Sequence, residues 1–248
     1  MKKLYEKSEL TFAILWIVVY CVLLSVGDAV SANIGIEKAV TLPIAAALSL
    51  ILFIYIKKSG LTKKYGFCKP TVSASRLLFY IPLILLFSVN LWFGISLNLS
   101  LTETVLYILT MLCVGFLEEK IFRGLLFKAM AQNGLKSAIV ISSLSFGMGH
   151  IINLFNGSGA QLVPNLLQIV YAAATGFMLV MLYCRSESLI SCIAFHGIFN
   201  ALSVFSKEDA LTFGLEIASC AFIVLISVGY GVYLIRSIKT EATETDKK

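Results

Sequence analysis

Eight apolar stretches, separated by short polar connections, constrain this chain more than any other feature of its sequence. A helix needs roughly 20 apolar residues to cross the hydrocarbon core of a bilayer. Of the 248 residues, 58% are apolar and 14% are charged, whereas soluble domains have about 45–50% and about 25%. We therefore predict an all-α, polytopic integral membrane protein with about eight transmembrane helices in one domain, 1–248. The predicted segments are 9–28, 39–56, 76–97, 103–122, 137–155, 162–184, 187–206 and 211–235.

The basic residues fall almost entirely on one side of the predicted membrane. With the amino terminus inside, all but two of the 20 Lys and Arg residues lie at cytoplasmic positions, the exceptions being Lys38 and Lys207. Cytoplasmic connections of membrane proteins are enriched in Lys and Arg. The pattern predicts a multi-pass protein of the cell membrane, surrounded by lipids, with both termini cytoplasmic and a disordered polar tail at 239–248. It also explains the net charge of +6 without a nucleic-acid partner.

The first polar cluster inside the predicted membrane lies at the cytoplasmic end of the fourth segment. A charged residue at the centre of a membrane helix costs at least about 2.5–3.5 kcal/mol, so it tends to face a cavity or a partner. Glu119 and Arg123 are four residues apart and can form an ion pair. The adjacent Glu118 points about 100° away on the helix and is left freer for chemistry. The alternative is an interfacial charge cluster that ends a helix.

The only two histidines of the chain both lie within predicted segments. Phe146 and His150 share one face of the fifth segment, and the two glycines between them allow close helix approach. His196 and Asn200 share one face of the seventh segment, so we expect their side chains to project towards a common point. A histidine that merely satisfies a hydrogen bond is the alternative for each. Together with the glutamates, these pairs predict a buried polar site between three central helices.

The three motifs carry a family resemblance when they are taken together. Glu118-Glu119-x-x-x-Arg123, Phe146-x-x-x-His150 and His196-x-x-x-Asn200 occur in that order on separate helices. This arrangement resembles the CAAX prenyl protease and bacteriocin-processing family of intramembrane endopeptidases. The resemblance covers about 103–206. It implies hydrolysis of a peptide bond by water in a membrane cavity, on a peptide or protein C-terminal substrate that is lipidated or unmodified.

The resemblance also implies roles for the first two motifs. Glu118 would be the general base, and His150 would help to hold and deprotonate the attacking water. Glu119 and Arg123 would orient this part of the site. Because the glutamates lie at the predicted cytoplasmic end of their segment, substrates would enter from the cytoplasm or from that leaflet.

The third motif would act on the substrate carbonyl. His196 and Asn200 would stabilise the tetrahedral oxyanion, since an imidazole N–H and an amide N–H are suitable donors. Phe146 would contact the substrate.

The residues leave the cofactor question open. The H-E-x-x-H motif of many zinc peptidases is absent from the sequence. Glutamate and histidine can activate water directly, and we expect a metal-free enzyme on that basis. The alternative is a single zinc ion held by Glu118, His150 and His196, a ligand set that zinc accepts.

Two other functions compete with proteolysis. A small transporter could use the same glutamates and histidines to carry protons or ions, although no inverted repeat is visible in the sequence. A non-catalytic immunity protein could bind a peptide in the same cavity. The presence of all three motifs favours the endopeptidase.

Overall fold

The computed structural model describes residues 1–72, 77–92, 94–156, 160–207 and 212–245. Within these ranges the regular structure is helical, apart from one isolated bridge between Ile95 and Ser206. A 3₁₀ turn extends each of α4, α7 and α9, and a π-helix at Glu119–Leu126 joins α5 to α6. The helices are α1 (Lys2–Lys7), α2 (Glu9–Ile34), α3 (Thr41–Lys58), α4 (Leu77–Phe87), α5 (Leu101–Glu118), α6 (Phe127–Ala131), α7 (Leu135–Gly149), α8 (Leu162–Ser186), α9 (Ile190–Leu202) and α10 (Phe213–Thr245).

Each of the eight predicted segments contains a helix, although 76, 93 and 211 lie outside the described residues. Five helices of the described chain are long and apolar enough to cross a membrane: α2, α3, α7 with its 3₁₀ turn, α8, and α10 as far as Ser237. The apolar stretches of α4 and α9 are shorter, and α5 is not among the five. The structure agrees with a polytopic membrane protein, but the predicted count of eight spanning helices is not confirmed.

The fourth predicted segment, 103–122, does not end where the sequence suggested. At Glu118 the chain passes from α5 into the π-helix and then into α6, so it stays helical from Leu101 to Ala131. All eight residues of the π-helix are buried, its three charged side chains included. Charged residues normally mark the membrane surface, but here neighbouring helices and the segment 59–72 cover them. π-Helical turns are rare and occur frequently at functional sites.

Two clusters of buried apolar side chains hold the helices together. One joins α2, α3 and the π-helix around Phe12, Leu52 and Ile121. The other joins α8, α9 and their neighbours around Leu179 and Phe195. Apolar side chains also cover the outer faces of the helices, which suits contact with lipid and would be unusual in water. Examples exposed on these outer faces are Val18, Ile54, Leu144 and Leu225.

The connection after α3 folds back against the end of the bundle. Lys120 Nζ donates to the Tyr65 carbonyl oxygen at 2.7 Å, and the Leu189 N–H donates to the Gly66 carbonyl oxygen at 3.0 Å. Gly66 has φ +68°, and a Cβ there would lie 2.9 Å from Leu189 N, so this packing requires glycine. We call this end of the bundle the closed end; it comprises 1–8, 59–72, 132–134 and 187–189.

The structure bears on two further expectations, one about the charges that mark the membrane sides and one about the carboxyl-terminal tail. Lys120 and Arg123 are fully buried, so they are not loop charges and carry no information about membrane sides. The fold itself does not fix the orientation, and cytoplasmic termini stay a prediction. The backbone of α10 is helical over 239–245, where the sequence predicted disorder, and 246–248 lie outside the described residues. Lys, Glu and Ala in this stretch are good helix formers and continue the helix.

Candidate active site

Glu118 is positioned by a close crossing of α5 and α9. A Cβ at Gly115 would lie 2.5 Å from the backbone nitrogen of Gly197, so the two backbones touch at this point because both residues are glycine. Glu118 follows Gly115 by about one helical turn, and His196 precedes Gly197. As a result, Glu118 Oε2 lies 3.3 Å from His196 Nε2.

Behind this crossing lies a layer of buried charge. Arg123 Nη1 donates to Glu119 Oε1 at 3.0 Å, and His196 Nδ1 donates to the same oxygen at 2.8 Å. The Arg123 guanidinium also lies over the Phe146 ring, 4.0 Å from its centroid. The side chains of Glu119 and Arg123 are completely buried. The ion pair predicted from the four-residue spacing is therefore present, and it locks Glu119 in place.

A cavity of about 560 Å³ lies on the other side of Glu118. Four of the residues predicted from the motifs line it: Glu118, Phe146, His150 and Asn200. The structure thus brings together side chains from α5, α7 and α9 that are far apart in the sequence. The other three predicted residues, which are Glu119, Arg123 and His196, lie behind the cavity wall rather than in it.

His150 lies beside Phe146, as the four-residue spacing predicted, with 5.4 Å between the ring centroids. α7 ends at Gly149, and His150 begins a 3₁₀ turn at the edge of the cavity. His150 Nδ1 donates to the Phe146 carbonyl oxygen at 3.1 Å, which leaves Nε2 as the ring nitrogen that can accept a proton in the neutral form. Asn165 donates to the His150 carbonyl oxygen at 2.9 Å and holds this turn against α8.

Only one of the two glycines in this motif brings helices together. A Cβ at Gly147 would lie 2.7 Å from the Ile169 carbonyl oxygen, so α7 and α8 pack closely there. A Cβ at Gly149 would meet nothing within 4 Å, and Gly149 lines the cavity instead.

His196 and Asn200 have different neighbours in the structure. Both ring nitrogens of His196 face carboxylates, one from Glu118 and one from Glu119. Asn200 instead lines the cavity, and no hydrogen bond among the described residues engages its side-chain amide. The four-residue spacing places His196 and Asn200 on one helical face, but contacts with the two carboxylates keep the His196 imidazole out of the cavity lining.

Tyr20 on α2 makes a further contact that the three motifs do not predict. The Tyr20 hydroxyl donates to Glu118 Oε1, and Tyr20 lines the cavity. A buried tyrosine hydroxyl usually needs a partner, and this was the available signal. The partner could not be chosen from the sequence because 98 residues separate the two side chains.

The comparison with known families bears on the same part of the chain. Residues 100–202 match the Rce1-like family, described as type II CAAX prenyl endopeptidase Rce1-like. The family resemblance is confirmed. The Rce1-like region runs from the start of α5 to the end of α9 and contains all three motifs, whereas Tyr20 lies outside it. No curated protein and no solved structure matches the chain.

The Rce1-like region does not present the predicted zinc ligands as a set. His196 is directed at two glutamates, and His150 Nδ1 is bonded to a backbone carbonyl. Among the described residues, no group of three His, Cys, Asp or Glu side chains is arranged to hold a metal ion. As they stand, the side chains of Glu118, His150 and His196 do not form a ligand set, and both the metal-free enzyme and the alternative single zinc ion stay predictions.

Proposed function

We propose that the protein is an intramembrane endopeptidase of the CAAX type that uses a water molecule activated by Glu118. The observation that carries the proposal is the difference between two adjacent glutamates in a region that matches this family. The Glu118 side chain is 13% exposed and lines the cavity, whereas the Glu119 side chain is 0% exposed and paired. Only Glu118 can meet a substrate.

The first step is attack by water on the carbonyl carbon of the scissile peptide bond. Glu118 accepts a proton from the water as the new C–O bond forms. Tyr20 holds one oxygen of this carboxylate, which fixes its orientation towards the cavity. His150, whose Nε2 is left to accept a proton, lines the same cavity and holds the water.

The second requirement is a donor for the oxyanion of the tetrahedral intermediate. Asn200 lines the same cavity with an uncommitted amide, so its N–H can bind the developing charge. A donor of this kind contributes about 10²–10³-fold to the rate. His196 would have to leave its carboxylates to assist, and we assign it the positioning of Glu118 instead.

The intermediate then collapses with cleavage of the C–N bond. The proton taken up by Glu118 passes to the leaving amine, so the carboxylate returns to its starting form. One water molecule is consumed, and the products are a new carboxyl terminus and a new amino terminus.

The proposal is tested by peptide cleavage with the purified full chain in detergent. Wild type, Glu118→Gln and Glu216→Gln are compared on a library that contains prenylated and unmodified peptides, with and without a chelator. Glu216 supplies a matched control because it lines the far part of the same cavity from α10. We expect cleavage by wild type and Glu216→Gln, and a loss of about 10²–10⁴-fold in Glu118→Gln.

Each other outcome has a definite meaning. Equal cleavage by wild type and Glu118→Gln removes the proposed base. Loss of cleavage in the presence of the chelator would mean that a metal ion activates the water. If every variant binds peptide and none cleaves it, the protein would be an immunity-type binding protein and not an endopeptidase.

A further inference from the structure

Among the described residues, the lining of the cavity extends to only one end of the helical bundle. Its lining includes Asp28 and Lys38 near the α2–α3 connection, Asn156 after α7, Ser206 after α9 and Glu216 in the first turn of α10. These positions belong to the same end because neighbouring helices run antiparallel. We call this the open end.

Contacts across the connections confirm that the open end is one surface. The Glu37 N–H donates to Glu103 Oε1 at 3.1 Å, which links the α2–α3 connection to the start of α5. Asn98 Nδ2 donates to the Ser206 carbonyl oxygen at 2.8 Å, which links the approach to α5 with the end of α9.

The closed end contributes no residue to the cavity lining among the described parts of the chain. It is sealed by backbone contacts, such as the Thr71 N–H to the Ser186 carbonyl oxygen at 2.9 Å. Side chains add to the seal: Lys64 bonds Glu9, and Gln132 Nε2 donates to Glu9 Oε2 at 3.0 Å. A peptide cannot reach Glu118 from this side without displacing these contacts.

The two ends differ sharply in charge. Among the described side chains, the basic residues of the open end are Lys38 and Lys207, and Lys38 is already paired with Asp28 at 2.8 Å. The basic residues within the closed end are Lys2, Lys3, Lys7, Lys63, Lys64 and Lys69, and those on the helix ends that flank it are Lys57, Lys58, Lys128, Lys136, Arg185 and Arg236.

We propose that the active-site cavity opens to the non-cytoplasmic side of the membrane, so that its substrates are peptide segments exposed outside the cytoplasm. Lys and Arg mark the cytoplasmic ends of membrane proteins, which assigns the closed end to the cytoplasm. The open end, and with it the only route to Glu118 that the described residues show, then lies on the opposite side. The identity of the ligand as a peptide substrate rests on the proposed function, whereas the direction of access rests on the cavity and the charges.

This assignment reverses the expectation of cytoplasmic access. That expectation placed Glu118 at a helix end, but α5 continues through the π-helix to Ala131. Glu118 is therefore deep in the bundle, and the polypeptide between it and the cytoplasm is packed.

Two natural cysteines report the two ends directly. Cys21 lines the cavity next to Tyr20, and Cys68 lies in the closed end. Full-length variants that retain only Cys21 or only Cys68 are treated in intact cells with a small membrane-impermeant thiol reagent, and again after permeabilisation. Both variants are first shown to react in detergent. We expect Cys21 to be labelled equally before and after permeabilisation, and Cys68 to be labelled only afterwards.

Any other labelling pattern overturns the proposal. Labelling of Cys68 alone in intact cells means the opposite orientation. Labelling of both means insertion in two orientations, and labelling of neither means that the cavity is shut from outside.

A second measurement uses the unaltered chain in case the cysteine variants do not fold. A polar peptide that the purified enzyme cleaves is added to intact cells and to sealed inverted membrane vesicles, with Glu118→Gln membranes as the background. Cleavage by intact cells alone supports access from outside, and cleavage by inverted vesicles alone contradicts it. If purified wild type cleaves nothing in detergent, the proposed function fails, but the Cys21 labelling still decides the direction of access.

Discussion

Glu118 and Glu119 are adjacent in the sequence, yet they belong to two different regions of the molecule. The cavity wall contains Glu118, His150 and Asn200, whose side chains line the space that a ligand would occupy. The buried layer contains Glu119, whose carboxylate is bonded to both Arg123 and His196. Adjacent side chains on a helix point about 100° apart. The comparison shows that two neighbouring residues of one charged motif can therefore have different roles, Glu118 in catalysis and Glu119 in stabilising the fold.

The largest effect on stability should come from breaking the buried layer. Arg123→Met leaves Glu119 buried without its cation, and removal of one partner of a buried ion pair costs about 3–5 kcal/mol. Thermal and denaturant unfolding in detergent measure this loss. The double variant Glu119→Gln with Arg123→Met should lose less than the two single variants combined. Strict additivity would show that the pair does not act as a unit.

The next largest effect belongs to the cavity wall. Asn200→Ala should lower kcat by about 10²–10³-fold, because the oxyanion loses its donor, and should leave the unfolding temperature unchanged. Asn90 is the matched control, since it lines the same cavity but donates its amide to the Phe199 carbonyl oxygen at 2.8 Å. Asn90→Ala should cost about 1 kcal/mol of stability and little rate. If Asn90→Ala lowered kcat and Asn200→Ala lowered only stability, Asn90 would be the oxyanion donor and Asn200 the structural residue.

A smaller loss of stability is expected from a change at the crossing of α5 and α9, which positions Glu118 beside His196. Gly115→Ala introduces a methyl group against the Gly197 backbone, and overpacking of this kind costs about 1–3 kcal/mol. Activity should fall as well, because Glu118 moves relative to His196. Gly229→Ala is the control, since a Cβ there meets nothing within 4 Å. Equal stability of the two variants would show that α5 and α9 separate at little cost.

The smallest effect concerns Tyr20. Tyr20→Phe keeps the ring but removes the hydroxyl that holds Glu118, so kcat should fall about tenfold, within the range expected for a hydrogen bond to a charged group, while KM stays constant. Tyr65→Phe also loses a hydroxyl contact, to Tyr5 at 3.0 Å, but at the closed end. An equal loss of rate in both variants would argue against a positioning role for Tyr20.

Much of the local structure could be predicted from the sequence. The apolar segments located the helices, because helix length in a membrane is fixed by the bilayer. The four-residue spacing of Glu119 and Arg123 located the ion pair. The order of the three motifs predicted the family that residues 100–202 match.

Long-range packing could not be predicted in the same way. The direction in which His196 turns depends on two carboxylates from another part of the chain, and the partner of Tyr20 depends on how α2 packs against the π-helix that follows Glu118. The fate of the charges after Glu118 depends on the segment 59–72, which covers Lys120. Each of these contacts joins residues that are distant in the sequence, so no local pattern records them.

The most direct test of the division between the two regions compares Glu118→Gln with Glu119→Gln in one preparation. Peptide cleavage and thermal unfolding are measured for both variants and for wild type. We predict that Glu118→Gln loses cleavage and keeps the wild-type unfolding temperature, and that Glu119→Gln unfolds at a clearly lower temperature. Cleavage at the wild-type rate by Glu118→Gln, or an unfolding temperature lowered equally in both variants, would contradict the account.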